Sequence, residues 1–462
     1  MSSATVGLLA FCLSCTSWAA LTLRRNIILS TSSSSSISSS SLASLQSSNL
    51  LLAAVEKLTK ELESNPSHHC FDASLWARIE GLPRKLPAHG IGGLKALSIL
   101  EPIVLGGRAR LDDPGFFAHM DPPANIESVA ASLWQVGTNQ NLLHPDVAPS
   151  ARLLQKIVIK WLAEFFSCDG GHFTSGSTVA NLTAIWAARE VKKIKRVVAS
   201  KNSHNSVKKA ADILGLDFVA VNDISADCST LDLSDACLVL TAGTTSSGEI
   251  EPLERFGSAW VHCDAAWNGP MRLSRKHGMR LDGIEDCDSV VFSCHKWLFQ
   301  PKGCGVVLWK NSEKAEEKIA YGAGYLATPT VGVGGSQPAT VVPLLCTLLA
   351  WGQDGVAERI DRGVENARNL ARLVSSDSRF ELWTGNGGRG EEGVVLWRRR
   401  DVGMENDRDI AGRVRDRMKE EGAFVSLSGG GAKGWWFRSV AANDHIDVDY
   451  FWEAVVRAAA AV

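Results

Sequence analysis

The chain has 462 residues, 45% apolar and 21% charged, and carries a formal net charge of −2. That length allows two or three domains and that composition is ordinary for a globular protein. The balanced charge gives no reason to expect a nucleic acid or an acidic membrane as partner. Eleven cysteines are scattered through the chain, most of them inside apolar runs (Cys237, Cys263, Cys294, Cys346). That suits reduced, buried thiols better than a disulfide framework. No Cys/His spacing suggests a zinc site.

Residues 1–55 carry only Arg24 and Arg25 as charged side chains, with an apolar run over 6–23 and a serine tract over 30–41. Few acids, arginine and many serines read as a targeting segment over about 1–50, for a plastid or mitochondrion. A secretory signal, a membrane anchor and a disordered linker stand as alternatives, and no stable membrane partner is expected. From 50 to 62 apolar residues recur at helical spacing, which predicts one amphipathic helix. The stretch to 113 contains Pro66, Pro83 and Pro87 and reads as a segment that wraps another surface rather than building its own core. A helix is expected over 125–136 between Gly-, Pro- and Asn-rich loops, and a strong one over 151–166. In GGHFTSGSTVANLTAIWAAREV, small residues precede a helix over 178–191. Such a start offers free N–H groups to a phosphate, with Ser177 and Thr178 as added hydroxyls; an ordinary N-cap is the alternative.

Strands then alternate with a helix: 196–199, the helix 203–214 ending at Gly215, then 218–221, 237–241 and 260–263. This predicts an α/β domain with a mostly parallel sheet over 151–335. Ligands gather at the carboxyl ends of such strands, where Thr244, Asp264 and Lys296 fall. Lys296 lies in SVVFSCHKWLFQPKGCGVVL, between two buried strands, where an amine is costly unless neutral or employed. A lysine snorkelling to solvent is the plain alternative. From 336 onward, helices over 340–351, 355–374, 407–421 and 448–460 alternate with strands over 380–383, 394–397, 423–427 and 435–440, a smaller α+β domain.

One ligand accounts for these features together. An anion-binding helix start, a flat His204, a threonine turn at Thr244, a carboxylate at Asp264 and an amine at Lys296 suit pyridoxal phosphate. Its phosphate, ring faces, pyridine nitrogen and aldehyde need those partners. TSGSTVANL, SHNSVKKAADILG, TAGTTSSGEI, VHCDAAWNG and SCHKWL occur in that order. The chain therefore resembles the pyridoxal-phosphate-dependent amino-acid decarboxylases of the aromatic-amino-acid and glutamate decarboxylase group.

The resemblance implies an aspartate-aminotransferase-type fold and a homodimer, with residues 51–150 wrapping the dimer. It implies a carboxy-lyase releasing an amine and carbon dioxide from an amino acid through a Lys296 aldimine. Asp264 would pair with the pyridine nitrogen, His204 and Ala266 would flank the ring, and Ser177, Thr178, Ser293 and His295 would hold the phosphate. Thr244 would lie near the ring, and Arg438 would take the substrate carboxylate unless it pairs inside its own domain. Gln140, in a polar loop over 137–149, is a candidate for the substrate pocket, suited to an acidic or diamino side chain. Val179 and Gln155 stand where the family usually has acids. The stretch 320–338 is short and glycine-rich, and neither Tyr321 nor Tyr325 matches the family's proton-donating tyrosine. Another pyridoxal-phosphate lyase reaction, an aldehyde-forming oxidative decarboxylation and an inactive cofactor-binding relative are the rival expectations.

Overall fold

The computed structural model describes residues 39–64, 73–404, 407–429 and 434–460. The apolar run, the two arginines and most of the serine tract read above as a targeting segment lie outside the described residues. Contacts divide the chain into two units, one up to Ala109 and one from Arg110 onward.

Among the described residues, the first unit holds three helices, Ser39–Glu63, Ala73–Glu80 and Gly93–Val104. The first begins inside the serine tract, ahead of the expected start. The other two were not legible among the prolines. Pro102 lies inside the third helix, where its ring removes the N–H that would donate to the preceding turn. Arg108 Nε meets Glu61 Oε1 at 3.2 Å and Lys57 pairs with Glu101, so the ends of the unit are clasped.

The second unit is built on a seven-stranded sheet in the order β1-β7-β6-β5-β4-β2-β3. Its strands are β1 (Gly170–Thr174), β2 (Arg196–Ser200), β3 (Asp217–Val221), β4 (Ala236–Thr241), β5 (Trp260–Asp264), β6 (Ser289–Ser293) and β7 (Gly305–Trp309). Neighbours from β3 across to β6 run parallel, and β7 runs antiparallel to both β6 and β1. Continuous apolar runs such as ACLVLT fit strands buried on both faces. Alternate residues supply two separate cores. Val198, Leu238, Leu240, Val290 and Phe292 pack on one face with Val158 and Leu162 of the helix Ala151–Glu164. Val197, Ala199, Cys237, Val239 and Val291 pack on the other with Ala180, Ala184 and Ile185 of the helix Ser177–Lys192.

The small-residue stretch ahead of the helix Ser177–Lys192 holds a strand, β1. Its glycines are demanded by packing. A Cβ on Gly171 would stand 2.3 Å from Val307 O, and one on Gly170 would stand 2.4 Å from Ser312 Oγ. Gly171→Ala is therefore expected to destabilise the fold by about 2 kcal/mol or more, read as a lowered midpoint in urea. An unchanged midpoint would mean that β1 can slide away from β7.

A second sheet, β10 (Phe380–Leu382), β11 (Val394–Arg399), β12 (Ser426–Gly429) and β13 (Trp435–Val440), is antiparallel in the order β10-β11-β13-β12. The strand expected over 423–427 is displaced to Ser426–Gly429. Helices Arg408–Glu420 and Val448–Ala460 cover this sheet around Phe117, Trp397, Phe437 and Phe451. Two short strands, β8 (Ala320–Tyr321) and β9 (Thr330–Val331), form a hairpin between the two sheets in sequence. The helix Val341–Ser376 is kinked at Gly352, whose φ of +62° breaks it where two helices were expected. Beyond the kink, Val356, Ile360 and Val364 lie in the large-sheet core, and Ala367, Leu370 and Val374 lie in the small-sheet core. No described helix is long and apolar enough to cross a membrane.

Candidate active site

The carboxyl ends of β5 and β6 face the start of the helix Ser177–Lys192, and the polar residues converge there. β6 ends at Ser293, and the chain turns through 294–304 into β7. Cys294 N donates to Cys304 O at 3.0 Å and Gln300 N to Cys294 O at 3.2 Å, which closes the turn. Trp297 and Leu298 are fully buried beneath it. Lys296 rides on this turn with Nζ 6.0 Å from the centre of the Trp267 ring. Burial pushes its pKa down, and the Asp264 carboxylate opposes that shift. His295 bonds to Cys304 O through Nδ1 at 3.3 Å. Burial, reinforced by Lys302 and Lys296, pushes His295 down to about 4.

Asp264 is the last residue of β5 and is 2% exposed. Its Oδ2 accepts a hydrogen bond from Asn181 Nδ2 at 2.8 Å, and its Oδ1 accepts from the Ala266 backbone N–H at 3.1 Å. Across the cleft, the helix Ser177–Lys192 starts at Gly176, whose φ is +136° and which has no side-chain cap. The first-turn N–H groups thus lack the usual partner. Ser293 Oγ donates to Ser177 Oγ at 2.9 Å, so hydroxyls from β6 and from the helix meet at this start. A Cβ on Gly305 would stand 2.8 Å from Gly176 C and 3.0 Å from Ser177 N, so only glycine lets β7 approach the helix start.

His204 caps the helix Asn205–Leu214. Its Nδ1 accepts the Ser206 backbone N–H at 3.2 Å and meets Ser206 Oγ at 2.8 Å. Burial lowers its pKa, Asp264 raises it and Lys296 lowers it further. Thr244 is buried in a tight turn, with Oγ1 3.0 Å from Ser247 Oγ and N donating to Glu249 O at 2.9 Å. Arg438, on β13, donates through Nη1 to Thr245 O at 2.6 Å and through Nε to Ser426 Oγ at 3.0 Å. The small sheet thereby reaches the same rim, with a guanidinium held by a carbonyl and a hydroxyl rather than by a carboxylate.

Residues 79–397 match the pyridoxal-dependent decarboxylase conserved domain. The chain belongs to the pyridoxal-dependent decarboxylase family. It is 30% identical to the L-2,4-diaminobutyrate decarboxylase of Rhizobium meliloti (strain 1021) over 64% of this chain and 68% of that protein. It is 27% identical to the aromatic-L-amino-acid decarboxylase of Bacillus atrophaeus over 70% of this chain and 75% of that protein. The crystal structure of mouse CSAD shares the fold at a TM-score of 0.78 and 21% identity, over 90% of this chain and 99% of that one.

This decarboxylase is accordingly a pyridoxal-phosphate-dependent carboxy-lyase acting on an amino acid. The donor set fits the cofactor. An uncapped helix start with two hydroxyls suits a phosphate, a carboxylate at the end of β5 suits a protonated ring nitrogen, and an amine biased toward its neutral form suits an aldehyde.

Of the residues singled out in the sequence, Ser177, Asp264, Ala266, Ser293, His295 and Lys296 come together around this cleft, with His204 joined to Asp264 through intervening side chains. Thr178 lies exposed in the first turn of the helix Ser177–Lys192. Gln140 does not contact the cluster. Its Oε1 accepts from Ser150 Oγ at 3.1 Å and from Ala151 N at 3.3 Å, capping a helix whose own Ser150 provides no cap. Tyr321 stacks on Trp186 with centroids 5.7 Å apart, and Tyr325 is exposed on the hairpin loop.

Sequence reasoning missed Asn181 and took His262 for strand filling. Both are fully enclosed beside Asp264. Asn181 follows Ser177 by four residues, so it sits one turn along the same helix face; that spacing was the available signal.

Burial also gives this site a pH limit. His172, His262 and His295 are each pushed down to about 4 from 6.5. An unfolded chain binds protons at these rings below pH 6.5, while the folded chain does not until near pH 4. Their contribution to stability is complete above 6.5 and is lost as pH falls toward 4. For fully enclosed His262 that is on the order of 3 kcal/mol. Melting temperature should therefore drop steeply between pH 6.5 and 4, and His262→Gln should flatten part of that drop.

Proposed function

We propose that this chain decarboxylates an amino acid with a polar side chain, diamino or acidic, with Lys296 as the amine that receives the cofactor's aldehyde. The observation that carries the reading is the placement of Lys296 on a closed turn beside buried Asp264, where burial biases the amine toward its neutral, nucleophilic form. When bound, pyridoxal phosphate supplies the electron sink that lets the bond to the α-carboxylate break. Asp264 holds a proton on the ring nitrogen. Ser177, Thr178 and the uncapped helix start, with Ser293 and His295, would hold the phosphate. His204 and Ala266 confine the ring between them, and Thr244 limits its rim. Arg438 would bind the substrate carboxylate and so favour loss of carbon dioxide over loss of a proton. The polar-side-chain reading rests on likeness to diaminobutyrate decarboxylases.

A second copy of the chain is proposed to cover exposed apolar side chains on two successive helices, Ile126–Thr138 and Ala151–Glu164. Trp134 is 74% exposed and Val136 75% exposed, and Leu153, Ile157 and Trp161 add to them. Light scattering should give a dimer mass, reduced by Trp134→Glu.

The deciding experiment is an absorbance spectrum of the protein with pyridoxal phosphate. L-2,4-diaminobutyrate, L-aspartate and aromatic amino acids are then added while carbon dioxide is recorded. A visible band fixed onto Lys296 by borohydride, with carbon dioxide from a polar substrate, is the expected result. Release of carbon dioxide from aromatic substrates alone overturns the substrate class. A band that shifts without carbon dioxide overturns decarboxylation.

A further inference from the structure

Beneath the cofactor cleft lies a chain of hydrogen bonds that the reaction scheme above does not use. Asn181 Nδ2 donates to Asp264 Oδ2 and to Ser206 Oγ, both at 2.8 Å. Asn181 Oδ1 lies 3.0 Å from His262 Nε2. His262 Nδ1 lies 2.9 Å from Ser289 Oγ, which also meets Trp260 Nε1 at 2.9 Å. Asn181, Ser206, His262 and Ser289 are all at most 2% exposed, so bulk water does not compete for these bonds.

Only one arrangement of protons satisfies every member when Asp264 is ionised. A carboxylate can only accept, so the Asn181 amide must turn its NH2 toward Asp264. Its oxygen then faces His262 Nε2, which must carry the hydrogen. Burial keeps His262 neutral, so Nδ1 is bare and accepts the Ser289 hydroxyl. Ser289 Oγ in turn accepts from Trp260, a residue that can only donate. On the other branch, Ser206 Oγ accepts from Asn181, and its hydroxyl donates to His204 Nδ1. That same Nδ1 takes the Ser206 backbone N–H, so His204 carries its hydrogen on Nε2.

We propose that Asn181 is a positioning residue that couples Asp264 to His204 through one unidirectional relay, buried as far as Ser206, so that the charge on Asp264 orients the Ser206 hydroxyl toward His204 Nδ1 and reinforces the Nε2–H tautomer that the Ser206 backbone N–H already favours. This rests on the reading that these two residues are the cofactor ring's partners. Asn181 spends both amide hydrogens and one lone pair in the junction, and no other side-chain type of its size offers two donors and an acceptor.

The test uses Asn181→Asp and Asn181→Leu in the full chain, each checked for folding by its melting curve. The aspartate is isosteric and still accepts from His262, but it sets two carboxylates at hydrogen-bond distance, which hold together only by sharing a proton. At pH 8 it should retain pyridoxal phosphate at least ~30-fold more weakly than the wild type. At pH 6 the shared proton stands in for the missing amide hydrogen, and the gap should close to within ~3-fold. Asn181→Leu should be weak at both pH values. An equal deficit at both pH values, or wild-type retention by Asn181→Asp at pH 8 together with the wrong histidine tautomers, overturns the proposal. Histidine nitrogen spectra of the wild-type apoprotein provide a check that needs neither variant nor cofactor. The relay requires Nε2–H with bare Nδ1 at both His262 and His204, and a His262 protonated at Nδ1 overturns it. Correct tautomers with cofactor retention that ignores Asn181 would uphold the wiring and overturn the assignment of Asp264 to the cofactor.

Discussion

Replacing Lys296 by alanine is expected to lower the decarboxylation rate by at least about 1000-fold, the scale on which a covalent nucleophile contributes. Nothing in the packing offers a substitute. The other lysine of the turn, Lys302, is exposed and paired with Asp121, so its amine is engaged away from the cleft. The variant should still fold, because Lys296 sits on the turn's rim while Trp297 and Leu298 carry its buried side. The measurement is a pair. Borohydride followed by peptide mapping should find no cofactor on the chain, and carbon dioxide release should fall to background. Residual labelling at Lys302 with appreciable turnover would show that the wrong amine has been assigned.

Trp297→Ala is expected to cost about 3–5 kcal/mol of stability, the range for emptying the site of a large buried aromatic. Trp297 is 0% exposed and packs 5.0 Å from Trp267, centre to centre. Its ring also fills the space over Gly363 and Gly393, where an added Cβ would come within 2.6 and 2.7 Å of ring carbons. These glycines belong to the long kinked helix and to the approach to β11, so one side chain beside Lys296 wedges three segments. Its Nε1 finds no acceptor among the described residues. Trp297→Phe should therefore cost far less than alanine and restore most of the cofactor affinity that alanine loses. A denaturant melt of both variants decides this: equal losses would mean that the indole nitrogen has a partner after all.

The cofactor chemistry was legible because its residue types are few and its order along the chain is specific. Lys296, Asp264 and His204 each sit at an element boundary that hydrophobic runs or caps mark in the sequence. The large sheet was legible for the same reason, except β1. A strand that begins with two glycines looks like a loop until the carbonyl of Val307, pressed against it, explains them. Gln140 misled because a polar side chain in a loop reads equally as a ligand for substrate and as a cap for the next helix, and the Ala151 N–H and the Ser150 hydroxyl claimed it. Asn181 and His262 were missed because a buried polar network depends on residues from separate strands and a helix meeting in space, which no local pattern encodes. The helices Ala73–Glu80 and Gly93–Val104 were hidden by flanking prolines whose effect on a helix depends on which turn they occupy.

The stretch beyond the Gly352 kink has a mechanical consequence. It runs about five turns without a break from the large-sheet core at Val356 to the small-sheet core at Val374, like one beam let into two walls. Neither sheet can swing independently while that beam is intact, since a few degrees of tilt at one end would lever Ile360 or Leu370 out of its socket at the other. The rim where Arg438 meets Thr245 is thereby kept at a set width even before a substrate arrives. The unit from Arg110 onward should then lose both sheets in a single cooperative transition, with no stage at which the small lobe melts alone.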